Sequence, residues 1–465
     1  MNAFTVFVTL LPEHLLLLGI VLLLVVQVAG NGRGFGLALA LLSVGGAAVA
    51  AAVLALTGTT AAPFAGHFSV TPQVLAGKAV VLALVLPVLL MARQEFDTPE
   101  CASLILSSVY GVCLMQSADS FMTLFLGLEI MSMPVYALVL LAWHRTPSAE
   151  AALKYLVLGG AATAMLMMGA ALLFGATGSL SLDAFSQVMS VGGKSSTLAR
   201  AAVVLVLAAL FVKAAIVPFH TWAPDAYEAS SVPVTAYMAT IVKAGVLLAA
   251  VRLAGKATLA SPVLELVALL PLASIVWGNL TAMRQTSLRR IIGYSGIAHA
   301  GYLFYALLGA PGQRLQSVLF YLLAYGLMNL LALAAIPPAA GSDEQRDRID
   351  ELQGLYQRNP FAAWMIALAM LSLAGIPPLP GFVAKFYVFN QVLSAGHTGY
   401  AVLGLVGSYL GIYFYLRVIQ QMFMSERGAA PGPAPISATA RTAMLLCLAG
   451  SAVVALFPGW VMARL

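Results

Sequence analysis

Runs of about twenty consecutive apolar residues, the length a helix needs to cross a bilayer core, recur along almost the whole of this chain. In hydrocarbon every backbone N–H and C=O must be paired within its own segment, so such a chain can fold only as a bundle of helices. Fourteen spans are read near 12–29, 35–57, 74–92, 101–117, 120–142, 151–174, 199–220, 231–251, 262–282, 290–309, 314–336, 361–392, 398–422 and 438–460. Of the 465 residues, 61% are apolar and 9% charged, against about a quarter charged in an ordinary soluble domain. That excludes a soluble enzyme and a disordered chain. The formal charge of +6 is scattered over short loops without a basic run, which excludes a nucleic-acid binder. The expected fold class is an all-α polytopic membrane protein.

Residues 15–30 follow Glu13-His14 rather than a basic segment, so they read as a first span and not as a cleavable signal. Cys101, Cys113 and Cys447 are far apart in apolar text and form neither a disulfide framework nor a metal-binding spacing. With fourteen spans, the odd-numbered loops carry eleven basic residues: Arg33, Arg93, Arg145, Arg284, Arg289, Arg290, Arg346, Arg348, Arg358, Arg427 and Arg441. The even-numbered loops carry five: Lys194, Arg200, Arg252, Lys256 and Arg314. The positive-inside rule then places the odd loops in the cytoplasm and both termini outside, in the periplasm of a bacterial inner membrane. The longest polar loop, 341–359, is mixed in sign. It reads as a solvated linker or short amphipathic helix, or else as a docking face for a neighbouring subunit.

The informative residues are charges inside spans. Each costs a few kcal/mol at the bilayer centre unless it faces protein or water. Glu129, Lys213, Lys243, His299 and Lys385 all stand in apolar text on separate spans. A lysine whose burial disfavours its charge, and whose neighbouring carboxylate favours it, can load and release a proton. Glu129 tunes Lys213 in this way if their helices touch; the other reading is a fixed ion pair that never titrates. Five groups on five helices favour a proton pathway. His299, with Tyr294, Ser295 and Tyr302 nearby, is either a satisfied core histidine or a relay group, and His220 has the same standing. Glu150 and Lys154 form an i,i+4 pair at a helix start, either an ordinary surface pair or a proton inlet. Lys78 is nearer a span end, from which a lysine can snorkel. Asp225 and Glu228 fall in a short connection and need no burial.

Two spans carry proline breaks. Pro218 cannot donate to the carbonyl of Ala214, and Pro377, Pro378 and Pro380 release carbonyls ahead of Lys385. Freed carbonyls in a membrane need protein or a wet cavity around them. Spans 7 and 12 are therefore expected to be discontinuous. Phe211-Val212 before Lys213 and Phe382-Val383-Ala384 before Lys385 hint at repetition five spans apart. Five is odd, so the two units would be inverted. The division is 1–100 for three N-terminal helices, 101–255 and 256–425 for two five-helix repeats, and 426–465 for a last helix.

Three stretches carry a family resemblance: Lys213 through Glu228 (KAAIVPFHTWAPDAYE), Leu288 through Tyr302 (LRRIIGYSGIAHAGY), and Leu371–Pro378 with Gly381–Tyr387 (LSLAGIPP and GFVAKFY). They resemble the antiporter-like subunits of respiratory complex I over about residues 100–425. Tyr227-Glu228, Lys385 and the absence of a long lateral C-terminal helix are similar to the N type of these subunits rather than to the M and L types or the Mrp antiporters. Ala229-Ser230-Ser231-Val232-Pro233 departs from the family's usual Gly-Ala-Pro turn, at no titratable position.

The resemblance implies roles. Glu129 would be the fifth-span glutamate and Lys213 its partner; Lys243 would pass protons toward mid-membrane, His299 would link the half-channels, and Lys385 would be the terminal lysine. Glu150, Lys154 and His220 would be accessory. It implies a proton-translocating NADH–quinone oxidoreductase in which this chain holds no cofactor, while NADH, FMN, iron–sulfur clusters and quinone belong to other subunits. The implied partners are membrane subunits of the M and K types, and lipid. An Mrp-type cation/proton antiporter, a membrane-bound hydrogenase subunit and a purely structural scaffold are the alternatives.

Overall fold

A computed structural model describes residues 3–30, 34–93, 98–141, 146–191, 195–336, 347–425 and 436–465. Arg33, Arg145, Lys194, Arg346 and Arg427, and residues 341–346 of the long polar loop, lie outside the described residues. In chain order the principal helices are α1 Leu11–Val28, α2 Phe35–Leu56, α3 Pro72–Ala92, α4 Pro99–Gln116, α5 Phe121–Leu140, α6 Thr146–Thr177, α7 Thr197–Ala214, α8 Trp222–Ala229, α9 Val232–Ala254, α10 Ser261–Ala282, α11 Leu288–Tyr305, α12 Arg314–Ala334, α13 Pro360–Ala374, α14 Pro380–Ser394, α15 Thr398–Leu410, α16 Ile412–Met424 and α17 Ala438–Leu456. Side-chain oxygens start many of them. Thr71, Ser120, Ser196, Ser287, Asn359 and Ser437 each accept from the backbone N–H three residues on, satisfying a donor that the first turn leaves free.

Among the described residues, twelve helices are long and apolar enough to cross a membrane, so the protein is a multi-pass membrane protein. Two of the fourteen stretches read from sequence fall outside that count for physical reasons. Helix α4 is diluted by polar residues such as Glu100, Ser103, Ser107 and Ser108, and the twelfth stretch is two helices of 15 residues, α13 and α14. Helices α9, α11 and α12 are buried along nearly their whole length, whereas α1, α2 and α17 turn most of their residues outward. Lys243 and His299 are thus carried on central helices, whereas Glu129 and Lys213 stand on helices about half to two-thirds buried.

Both expected breaks are present, and they are built alike. Helix α7 ends with Ala215 at φ 58°, and the amides of Ala215 and Ile216 bond to the carbonyls of Val212 and Phe211. Helix α13 ends with Gly375 at φ 88°, and the amides of Gly375 and Ile376 bond to Ser372 and Leu371. Each is a left-handed cap that closes the last turn before a proline, and Val217-Pro218 and Pro377-Pro378 are both cis. In this correspondence Phe211 matches Leu371, so the shared feature is the break. The Phe-Val-Lys likeness seen in the sequence does not follow it: Lys213 precedes its break on α7, while Lys385 follows its break on α14.

Three features were not read from sequence. An antiparallel hairpin, β1 Ala61–Phe64 and β2 Phe68–Val70, lies between α2 and α3. A π-helical turn at Met238–Val242 interrupts α9 immediately before Lys243. Part of the 341–359 loop is folded into the protein, against the expectation of a solvated linker. Asp347, Ile349, Leu352 and Leu355 are buried, and the backbone on either side of Arg348 is pinned to that around Ser287 (Leu288 N–H to Asp347 O, 2.7 Å; Ile349 N–H to Thr286 O, 2.8 Å). Lys78 does not snorkel either: it is fully buried and paired with Glu13 of α1.

Candidate functional site

Helix α5 is set against α4 by reciprocal glycines. A Cβ at Gly111 would collide with the backbone of α5, and one at Gly127 with the backbone of α4. Close approach through small residues is how membrane helices pack without a hydrophobic drive between them. It is reinforced by the Ser108 hydroxyl, which donates to the Met131 carbonyl at 2.8 Å. This fixes the face of α5 that carries Glu129, Ser132 and Tyr136. Lys213, near the C-terminal end of α7, donates to the Ser132 hydroxyl at 3.0 Å and to the Tyr136 hydroxyl at 3.2 Å, and lies 4.0 Å from the Glu129 carboxylate. Glu129 also accepts from the Thr163 hydroxyl of α6. The condition set on the sequence, that the two helices touch, is met.

A second cluster holds the other three groups. Lys243, just after the π turn, donates to the Gly296 carbonyl of α11 and lies 5.7 Å from the Tyr325 ring. That ring is 4.7 Å from the His299 ring. His299 is buried and hydrogen-bonded through Nδ1 to Tyr321 (2.8 Å) and through Nε2 to Tyr415 (3.3 Å). Its other neighbour, Tyr302, stands with its ring 5.4 Å from His299 and 5.1 Å from Lys385 Nζ. Lys385 donates to the carbonyls of Leu373 (3.0 Å) and Ala374 (3.1 Å) and to the Ser408 hydroxyl (3.0 Å). These are the two carbonyls that Pro377 and Pro378, lacking N–H groups, leave without a helical donor. The lysine fills the gap that the prolines open.

The structure thus brings Glu129 to Lys213, and Lys243, His299 and Lys385 into one aromatic-lined chain. Among the described residues no hydrogen bond or ion pair joins Lys213 to Lys243. Sequence reasoning missed Tyr321, Tyr325 and Tyr415, whose positions on α12 and α16 are local text with no signal of what they face. His220 stands apart from the lysines in the turn after α7, its ring edge-on to Trp277 at 6.4 Å.

Glu150 and Lys154 do more than pair with each other. They line a charged cleft of about 410 Å³ together with Asp225, Glu228, Arg289 and Arg290. Lys154 reaches Glu150 (2.7 Å) and Asp225 (3.1 Å), and Arg290 reaches Asp225 (3.0 Å) and Glu228 (2.8 Å). Asp225 and Glu228 therefore tie the half-helix α8 to α6 on one side and α11 on the other. Trp222 extends the same anchoring inward, donating to the Val212 carbonyl at 2.9 Å and stacking on Tyr155 at 4.4 Å. Behind the cleft, Asp347 accepts from Arg289 Nε at 2.8 Å and from the Ser287 hydroxyl at 2.8 Å.

Gly296 offers a direct probe of the second cluster. A Cβ there would lie 2.7 Å from Lys243 Nζ and 3.2 Å from the Tyr325 hydroxyl. Gly296→Ala is expected to push the ammonium off its carbonyl and, on the proton-pathway expectation drawn from the sequence, to lower proton translocation about a hundredfold, the cost of misplacing a reacting group by an ångström. Proton uptake by vesicles carrying the protein measures it; an unchanged rate would remove Lys243 from the chain.

The family described as NADH:quinone oxidoreductase/Mrp antiporter, TM, matches residues 118–411, which hold both clusters. The NADH-quinone oxidoreductase subunit N of Pelobacter propionicus is 41% identical over 331 residues, 71% of this chain and 70% of that protein. The subunit N of Chloroflexus aggregans is 39% identical over 84% of this chain and 82% of its own length. This chain belongs to the NADH-quinone oxidoreductase subunit N family. Among solved structures, a chain of respiratory complex I from Thermus thermophilus with bound aureothin superposes with a TM-score of 0.82 at 34% identity, covering 97% of this chain and 98% of that one. The likeness to subunit N is one of sequence and that to complex I one of the whole fold, and Glu129, Lys213, Lys243, His299 and Lys385 all fall within residues 118–411.

Proposed function

We propose that this chain moves protons across the bacterial inner membrane as the N subunit of a NADH–quinone oxidoreductase. The observation that carries the reading is the arrangement of the charges: a Glu129–Lys213 pair beside one helix break, and a Lys243–Tyr325–His299–Tyr302–Lys385 chain ending at the other. Lysines held by carbonyls and hydroxyls in a dry setting are poised to exchange protons with any water that reaches them. Separation or closure of the Glu129–Lys213 pair changes the charge that Lys243 experiences, and so moves a proton along the chain toward Lys385. The cleft of Glu150, Lys154 and Asp225 is the inlet on the cytoplasmic side, with His220 in the turn behind it. NADH oxidation, through FMN and iron–sulfur clusters, and quinone reduction take place in other subunits. This chain contributes no redox group and packs against neighbours of the M and K types. Its termini are periplasmic, and its fourteen crossings divide into three helices, two inverted five-helix repeats and a last helix.

The test is Glu129→Gln, which keeps the shape and the Thr163 contact and removes the charge. NADH-driven proton uptake by vesicles is expected to fall about threefold or more relative to quinone reduction, with the complex still assembled. Unchanged uptake would reduce the pair to a fixed structural contact.

A further inference from the structure

The Glu13–Lys78 pair lies in the N-terminal three helices, ahead of the family match that begins at residue 118. Lys78 is fully buried and Glu13 is 4% exposed. They sit on α1 and α3, an acid and a lysine two helices apart, as Glu129 and Lys213 sit on α5 and α7. The end of the bundle that holds them is covered by the hairpin. The Phe68 ring lies 5.2 Å from Lys78 Nζ, Ser69 N–H donates to Ser117 O at 2.9 Å, and Arg252 donates to the Ser69 hydroxyl at 2.9 Å and to the Ala118 carbonyl.

Several polar atoms here are buried without a partner: Glu13 Oε2, Gln116 Nε2 and Ser117 Oγ. Gln116 packs directly on the lysine's helix, its Oε1 2.6 Å from where a Cβ on Gly77 would stand. Tyr110 and Cys113 on α4 are titratable groups within electrostatic reach of Glu13. A carboxylate oxygen and an amide N–H left bare in a buried site are the setting in which proteins hold internal water. A buried ion pair is, besides, a poor source of stability, since apolar residues of similar volume do as well or better. Charges retained inside a membrane mark function by default.

We propose that Glu13 and Lys78 form a second proton-exchanging site, outside the Glu129-to-Lys385 row, with a buried water on the free carboxylate oxygen. In the exchange an Nζ–H bond of Lys78 breaks and an O–H bond forms on Glu13, leaving a neutral amine and a neutral acid with the pair's net charge unchanged. The proton then passes from Glu13 to the water, leaving the pair one charge negative, and uptake reverses both steps. The site's contribution to turnover rests on the proton-moving reading above; its existence does not.

A hydrophobic carbodiimide tests the site in the wild-type complex, because it forms an adduct only with a protonated carboxyl. Treated membranes are digested and the peptide carrying Glu13 is weighed. The expected result is an adduct on that peptide at neutral pH, since a carboxylate locked in a permanent ion pair gives none. No adduct overturns the proposal whatever the Glu129 variant shows. In parallel, Glu13→Gln, Lys78→Met and the double substitution Glu13→Leu/Lys78→Leu are compared for protons taken up per quinone reduced. A fall of about twofold or more that the double variant does not repair supports the site. Full recovery in the double variant shows a packing pin and overturns it. Should the single variants fail to assemble, the wild-type labelling decides.

Discussion

Replacing Lys213 with alanine should abolish coupled turnover, with both NADH-driven proton uptake and quinone reduction falling to under about a tenth of the wild-type rate in assembled complex. The side chain is 4% exposed and is held by Ser132 and Tyr136 with Glu129 at 4.0 Å. Alanine removes the cation paired with that carboxylate, so the loss combines a missing proton carrier with an unbalanced charge. Lys213→Arg separates the two. Arginine preserves the positive charge and can reach Glu129, but it does not release its proton at any physiological pH. The expectation is that the arginine variant assembles as well as wild type and pumps as poorly as the alanine variant. Full activity in the arginine variant would mean that Lys213 is a fixed ion-pair partner and the proton pathway runs elsewhere.

The second large effect is on assembly. Asp347→Ala should destabilise the folded subunit by about 3–5 kcal/mol, the cost of stranding one member of a buried ion pair. Asp347 and Arg289 are 5% and 4% exposed, and the carboxylate also receives the Ser287 hydroxyl and the Arg289 backbone N–H. Thermal dissociation of the detergent-solubilised complex reports the loss. The same pair sets a pH dependence. Burial by itself pushes the Asp347 carboxyl up, but the Arg289 charge and the hydrogen bonds from Arg289 and Ser287 outweigh it and hold the group below the usual carboxylate range. A carboxyl depressed in the folded state adds stability above its unfolded value, and that stability is lost as pH falls through the folded value. Wild-type stability should therefore fall below about pH 4 with a component that Asp347→Asn lacks. Parallel acid profiles for the two proteins would contradict the assignment.

Much of this architecture was legible because a membrane makes local text decisive. Twenty apolar residues specify a crossing, a proline next to a charge specifies a break, and an isolated lysine in such a run has to be satisfied by something. What the text could not supply was the partner. Glu13 and Lys78 are 65 positions apart, and nothing in a lysine near a span end distinguishes snorkelling from pairing. Asp347 sat in a mixed-charge stretch that reads as solvated, and its burial is decided by Arg289, 58 positions away. The tyrosines around His299 come from α12 and α16, and only packing selects them from the sixteen in the chain. The hairpin was hidden because seven residues in two short strands, one containing Pro63, leave too little alternation to register.

The hold on Lys385 has a consequence for the direction of its hydrogen bonds. An ammonium has three N–H donors and no acceptor, and here it meets three acceptors: two carbonyls and the Ser408 hydroxyl. A neutral amine has two N–H donors and one lone pair. The carbonyls cannot reverse, since a carbonyl oxygen has no hydrogen to give. Deprotonation can therefore be accommodated in place only at Ser408, whose hydroxyl must turn from accepting to donating. The Tyr302 ring lies 5.1 Å from the same ammonium and its hydroxyl accepts from Asn279 at 3.1 Å. The charge state of Lys385 is in this way written into the direction of a single serine bond, with no helix having to move.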